Sequence, residues 1–234
     1  MISTASSSLD TTLYFPSIAQ NETIRKVIEV VEICLGTFTE KYPISLANRG
    51  IMLSDADETD FNTELEHWLS IGFQESSITT GKFTIAREYP ESRNSTQSKK
   101  TKGLRRQVDL AIRLLNGSRI LALEGKRLYT TNDKQYVSGN TGGIARFKRE
   151  DHGKELVFAC MVGYVQFETF NFWQKKINSW IINEQSKSSN LLWNDADLLS
   201  APIEKSPHFA ICKSQHQRIT QAAIDLCHYW ILVV

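Results

Sequence analysis

Apolar positions recur at helical spacing in three stretches of the chain and alternate with polar ones, or run together, in several others. From Glu22 to Leu35, residues Ile24, Val27, Ile28, Val31 and Leu35 fall on one face, and Gly36 follows as a stop, which predicts an amphipathic helix. A second helix is expected after Ser54, read as its N-cap, through "DADETDFNTELEHWLS" to Gly72, with acids in its first turn. A third carries Phe170, Trp173, Ile177, Trp180 and Ile181 on one face, a spacing that assigns these rings to core packing. "KFTIARE" (82–88), "ELVFACMVGYVQF", "HFAICKS" and "AIDLCHYWILVV" read as strands. Loops are expected over "YTTNDKQYVSGNTGGIARFKRED" and "NEQSKSSNLLWNDADLLSAPIEKSP". Strands flanked by helices, without repeats or a dividing linker, indicate a single α/β domain over 1–234, with 1–20 as a frayed tail.

The stretch "RQVDLAIRLLNGSRILALEGKRL" (105–127) is a β-hairpin by its Asn116-Gly117 signal. Read as a two-residue type I′ loop, it sets Leu115 opposite Ser118, Leu110 opposite Leu123 and Ile112 opposite Leu121. Val108, Leu110, Ile112, Leu114, Leu121 and Leu123 then share one apolar face. On the other face Asp109 stands opposite Glu124, with Lys126 two residues on and opposite Gln107.

Composition narrows the class without naming a partner. The 234 residues are 41% hydrophobic and 23% charged, an ordinary globular balance, and the formal net charge of +1 leaves only the distribution of charge to be informative. Cys34, Cys160, Cys212 and Cys227 are scattered without metal-ligand spacing, so a reducing cytoplasm is the default expectation. The start "MISTASSSLDTT" lacks the pattern of a signal peptide, and "LVFACMVGYVQF" is about half of the roughly 20 residues a membrane span needs, so no membrane partner is expected. Charge does cluster in "SRNSTQSKKTKGLRR", where Arg93, Lys99, Lys100, Lys102, Arg105 and Arg106 occur without an acid, just ahead of Asp109.

Like charges directly across a strand pair repel, and a cation between them removes the penalty. Asp109 and Glu124 are hard-oxygen ligands suited to Mg²⁺ or Mn²⁺, and Lys126 on the same face is suited to steadying an attacking water or transition-state charge. The same alternation also fits a solvent-facing hairpin in which Lys126 makes an ordinary surface ion pair, and periodicity does not separate the two. Glu58 adds weight to the first reading, because about 100° per residue puts it between Leu65 and Leu69 in the apolar stripe of its helix. Glu64 lies at the edge of that stripe and is the reserve third acid. Further candidates are Arg146, Lys148 and Arg149 after Gly142-Gly143, for gripping a phosphate backbone. His216 and Arg218 are candidates for reaching a scissile phosphate, and Gln107 for ordering water.

Asp-x14-Glu-Gly-Lys on two consecutive strands, after a helix bearing a Glu, resembles the PD-(D/E)XK nuclease superfamily. "ETDFNTELEHWL" is similar to the Glu-bearing helix of many such nucleases. "GGIARF", "MVGYV" and "KSQHQR", followed by a strand with His228, resemble an accessory pattern of restriction and defence-associated members. The likeness runs from about residue 50 to the end, with the nuclease core over about 50–185. Val108 stands where the motif has proline, a position that varies in the superfamily.

The resemblance implies a restriction-endonuclease-like mixed central β-sheet flanked by α-helices. It implies Asp109 and Glu124 as metal ligands with the Gly125 carbonyl as a further one, Lys126 as the catalytic lysine and Glu58 as the helical acid. Lys99, Lys100, Lys102, Arg105, Arg106, Arg146 and Lys148 would contact nucleic acid. The expected activity is a Mg²⁺- or Mn²⁺-dependent DNA endonuclease, acting in defence against foreign DNA as a homodimer or as a partner subunit of a defence complex. Two alternatives stand beside it: a DNA-binding or assembly subunit whose cleavage needs a partner, and a ribonuclease.

Overall fold

A computed structural model describes residues 21–77, 79–87, 109–132, 134–187 and 189–233. Its strands are β1 (Phe83–Ala86), β2 (Leu110–Leu114), β3 (Arg119–Leu128), β4 (Phe158–Val165), β5 (Ile203–Ser206), β6 (Phe209–His216) and β7 (Ile224–Leu232). They form one open sheet in the order β1-β2-β3-β4-β7-β6-β5. The pairs β3–β4 and β4–β7 are parallel and all others antiparallel, so the sheet is mixed. Parallel pairing needs crossovers, and these carry the short helix α3 (Gly143–Lys148) before β4 and α4 (Phe170–Gln185) after it. Among the described residues no helix is long and apolar enough to cross a membrane.

Both faces of the sheet are covered, which is why β4 is buried along its whole length. One face packs under α1 (Glu22–Asn48) and α2 (Glu58–Glu75), where Leu110, Ile112, Leu121, Leu123 and Tyr164 meet Phe38, Tyr42 and Phe61. Phe61 stacks on Tyr164 with ring centroids 5.0 Å apart, and Phe38 on Tyr42 at 4.9 Å. The opposite face carries Ala111, Ala122, Met161 and Trp230 against Ile144, Phe147, Trp173 and Ile177. The expected apolar face of α4 is buried as the spacing predicts.

Several boundaries differ from the sequence reading for identifiable reasons. α1 runs through Gly36 and Pro43 to Asn48, because Phe38, Tyr42 and Leu46 continue its buried face past the glycine. Gly costs a helix only about 1 kcal/mol, less than burial of one aromatic ring contributes. α2 is capped by Asp57, not Ser54: Asp57 accepts from the Asp60 N–H, and Asp60 accepts from the Asp57 N–H. The hairpin loop is also longer than two residues. Leu114 N–H donates to Ser118 O and Gly117 N–H to Leu114 O, with Gly117 at φ +86°. This is a type I turn closed by a left-handed glycine bulge, and it shifts Arg113 onto Arg119. Beyond the bulge the expected register holds, with Leu110 on Leu123 and Ile112 on Leu121. Two regions read as loops contain α3 and β5. Residues 1–20 and the basic segment with Val108 and Gln107 lie outside the described residues.

Candidate active site at the end of the β2–β3 pair

β3 outruns its partner. Among the described residues β2 pairs with it from Leu110↔Leu123 toward the turn, and Glu124 to Leu128 continue along β4. Asp109 sits just ahead of β2, where its Oδ2 accepts the Gly125 N–H at 2.7 Å. The aspartate thus takes the place of a ladder carbonyl where the two strands separate. Gly125 itself is required by packing: a Cβ there would come 2.2 Å from Asn62 Oδ1 on α2, the atom that accepts from the Tyr164 hydroxyl at 2.8 Å. Its missing side chain lets α2 approach, and the Asp57–Asp60 cap starts that helix so that its first residue, Glu58, reaches β3.

Lys126 Nζ joins the parts. It lies 2.9 Å from Glu58 Oε1, 3.0 Å from Glu124 Oε1 and 2.7 Å from the Gly125 carbonyl. The Arg127 N–H points at Glu58 Oε2 at 3.4 Å. Glu124 is 0% exposed and Lys126 5%, which excludes the solvent-facing hairpin as an account of this face. Burial pushes Glu124 up to about 7, with Asp109 adding to the rise against the pull of Lys126 and Arg146. Burial also raises Glu58, partly offset by Lys126. For Lys126, burial acts downward, but Glu124, Glu58 and Asp109 outweigh it and hold the ammonium above the usual lysine range.

Two residues of the α3 region complete the surroundings. Arg146 Nη1 is 3.1 Å from Glu124 Oε1, so this arginine belongs to the cluster itself. His152, in the turn after α3, is 1% exposed, and its Nε2 stands 3.8 Å from Glu124 Oε2. Burial, with Arg146, Lys126, Arg119 and Arg149 around it, pushes this imidazole down to about 2. Glu124 Oε2 and both ring nitrogens of His152 have no hydrogen-bond partner among the described residues. Sequence reasoning missed His152, because it lies in a loop-like stretch and nothing in its spacing ties it to Glu124.

The donor set fits a divalent ion in one respect: Glu124 offers a buried, unpartnered carboxylate oxygen beside Asp109, and hard oxygens suit Mg²⁺ or Mn²⁺. Among the described residues no three His, Cys, Asp or Glu side chains form a ready-made metal cage, so water and substrate would have to supply much of a coordination sphere. The Gly125 carbonyl, expected as a further ligand, is occupied by Lys126.

Other sequence candidates fall outside this cluster. Glu64, the reserve acid, pairs with Arg49 at 2.6 Å. Arg149 holds Asp151 and the carbonyls of Gly139 and Asn140. Lys148, expected to contact nucleic acid, is 0% exposed, with its ammonium 2.6 Å from Asp197 Oδ1, so it has no surface to offer a phosphate. His216 is likewise buried, and Arg218 is spent on the carbonyls of Gly153, Lys154, Leu156 and Ala222, which corrects the expectation that either reaches a scissile phosphate. Lys99, Lys100, Lys102, Arg105 and Arg106 lie outside the described residues.

A second buried polar cluster lies on the same face of the sheet, separated from the first by Met161 in the row Glu124–Met161–His228–Cys212. Asp197, His216 and Ser214 are spaced as in a hydrolytic triad, at 2.6 Å for each link. Ser214 Oγ also meets His228 Nε2 at 2.7 Å, His228 Nδ1 meets the Tyr136 hydroxyl at 2.9 Å, and Trp230 Nε1–H donates to that hydroxyl at 3.0 Å. Counting donors fixes every proton. The Asp197 carboxylate only accepts and burial keeps both imidazoles neutral, so the His228 Nε2–H donates to Ser214 and its Nδ1 accepts from the Tyr136 hydroxyl. Ser214 then donates to His216 Nε2, and the His216 Nδ1–H donates to Asp197. The Ser214 proton is committed to His216, its oxygen is met by His228, and it is 5% exposed, which suits a chain that ties β6, β7 and the segment at Asp197 together.

No family model, curated protein or solved structure matches this chain.

Proposed function

We propose that the protein is a metal-dependent phosphodiester hydrolase that cuts DNA, built on a restriction-endonuclease-like core. The observation that carries this reading is the convergence of Asp109, Glu124, Lys126 and Glu58 at the end of β2, with one oxygen of Glu124 unpartnered among the described residues. The mixed sheet, with its antiparallel β1–β2–β3 meander followed by a parallel β4, is compatible with that core.

A divalent ion bound here lowers the pKa of a coordinated water and offsets charge on the phosphate. The chain's own groups do the rest. Asp109 and Glu124 Oε2 would hold the ion. Lys126, already anchored by Glu58, orients the attacking water and donates to a phosphate oxygen. Arg146 holds Glu124 Oε1, which leaves Oε2 as the oxygen that would serve a cation. Charge supports the assignment: three carboxylates against two cations leave a formal minus one, which one divalent ion and one phosphodiester together bring to zero.

Lys99, Lys100, Lys102, Arg105 and Arg106 precede Asp109 directly in the sequence, and we assign them to the DNA backbone. A role in defence, a cytoplasmic location, and action as a homodimer or in a complex extend the same reading. The test is cleavage of supercoiled plasmid and single-stranded DNA with EDTA, Mg²⁺ or Mn²⁺, beside Asp109→Ala and Lys126→Ala. Cutting that needs metal and vanishes in both variants upholds the proposal. DNA retention without cutting by folded wild type moves the reading to a partner-dependent subunit, and cutting of RNA alone to a ribonuclease.

A further inference from the structure

Glu124 and His152 present an unusual pair of atoms. Glu124 Oε1 is shared by Lys126 and Arg146, while Oε2 on the same carboxylate has no partner among the described residues. His152 Nε2, equally unpartnered, faces it at 3.8 Å, and both side chains are fully buried. A buried polar atom without a partner costs about 1–3 kcal/mol, so two that face each other at more than hydrogen-bond distance point to a group held between them. A neutral imidazole a little closer would satisfy both by donating to the carboxylate. Instead, the two atoms stand 3.8 Å apart, with the imidazole packed beside Phe147 at 5.6 Å between ring centroids.

We propose that Glu124 Oε2 and His152 Nε2 are ligands to the same divalent ion, so that an imidazole nitrogen joins the carboxylates at this centre. The inference rests on the metal-binding reading above and deepens it by assigning the ion's chemical class. Mg²⁺ strongly prefers oxygen and keeps its waters, whereas Mn²⁺ and later first-row ions accept imidazole. The centre therefore prefers Mn²⁺ to Mg²⁺. Most ligating histidines are oriented by a partner on the other ring nitrogen, and His152 Nδ1 has none among the described residues. His152 is accordingly a supporting ligand, and its loss weakens binding without abolishing it.

The experiment is pulsed electron paramagnetic resonance of the full chain loaded with Mn²⁺, alongside calorimetric titration with Mn²⁺ and Mg²⁺. The expected result is nitrogen modulation from a directly coordinated imidazole in the wild type. His152→Gln should lose it while still binding Mn²⁺ about tenfold more weakly, with Mg²⁺ binding little changed. Should His152→Gln fail to fold, wild-type modulation that survives His67→Gln and His208→Gln, the two exposed histidines, assigns the nitrogen to His152. His216 and His228 have both ring nitrogens engaged in the Ser214 chain. Mn²⁺ binding that is lost in Glu124→Ala but shows no nitrogen modulation in the wild type overturns this inference and leaves the metal site standing. No binding of Mn²⁺ at millimolar concentration overturns both.

Discussion

Two buried polar clusters sit on one face of the sheet, a single row apart, and they differ in how completely their bonds are made. In the Tyr136–His228–Ser214–His216–Asp197 chain every donor finds an acceptor, and Lys148 neutralises the one carboxylate. Around Glu124, three carboxylates and two cations crowd together, yet a carboxylate oxygen and a whole imidazole have no hydrogen-bond partner among the described residues. Glu124, Lys126 and His152 are buried as deeply as the closed chain, while Glu58 and Arg146 are part exposed, so depth of burial at the centre does not separate the two. On the proposed reading, the complete cluster fixes the fold and the incomplete one holds a further group. Helix α3 joins them, with Arg146 turned to the open cluster and Lys148, two residues on, to the closed one.

If that division is right, damage to the two clusters should separate cleanly. The largest effect expected is on activity: Lys126→Ala or Asp109→Ala should lower metal-dependent DNA cleavage by about 10²–10³-fold or more in initial-rate assays. Equal rates for mutant and wild type would remove the open cluster from the chemistry. Next, Asp197→Ala should cost about 3–5 kcal/mol in denaturant unfolding, because it strands the buried Lys148 ammonium. Ser214→Ala removes one hydroxyl that both accepts and donates, and should cost about 1–3 kcal/mol while cleavage persists.

Smaller still is a pH effect confined to the open cluster. Glu124 must give up its proton to bind a cation, and burial has pushed its pKa up to about 7. Cation affinity is therefore present above that value and lost as pH falls through it. Calorimetry should find Mn²⁺ binding about tenfold weaker at pH 6 than at pH 8. A flat profile would mean that Glu124 is not a ligand.

The sequence carried the register from Leu110 to Ile112 and the shared face of Glu124 and Lys126, because a hairpin register is arithmetic; Asp109, expected directly opposite Glu124, instead lies just ahead of β2 and accepts the Gly125 N–H. Glu58 was legible from helical phase, although the helix starts at a different cap than Ser54. What the sequence did not carry was contact between distant segments. Arg146 and Lys148 look equivalent in "GGIARFK", and only the packing of α3 sends one to Glu124 and the other to Asp197. His216 looked like a surface histidine near a phosphate, whereas alternation along β6 turns it inward to Ser214 and Asp197. His152 has no local signal at all, since its significance is the orphaned oxygen it faces. The Ser-His-Asp geometry was equally invisible, because His216 and Asp197 meet across a loop.

The most direct test of the account compares plasmid cleavage by Ser214→Ala and Lys126→Ala with that of wild type, in Mn²⁺, at a temperature where circular dichroism shows all three folded. The account predicts metal-dependent cutting by Ser214→Ala and none by Lys126→Ala. Cutting by both variants, or loss of cutting in both despite an intact fold, would contradict the division between a cluster that holds the structure and one that works on DNA.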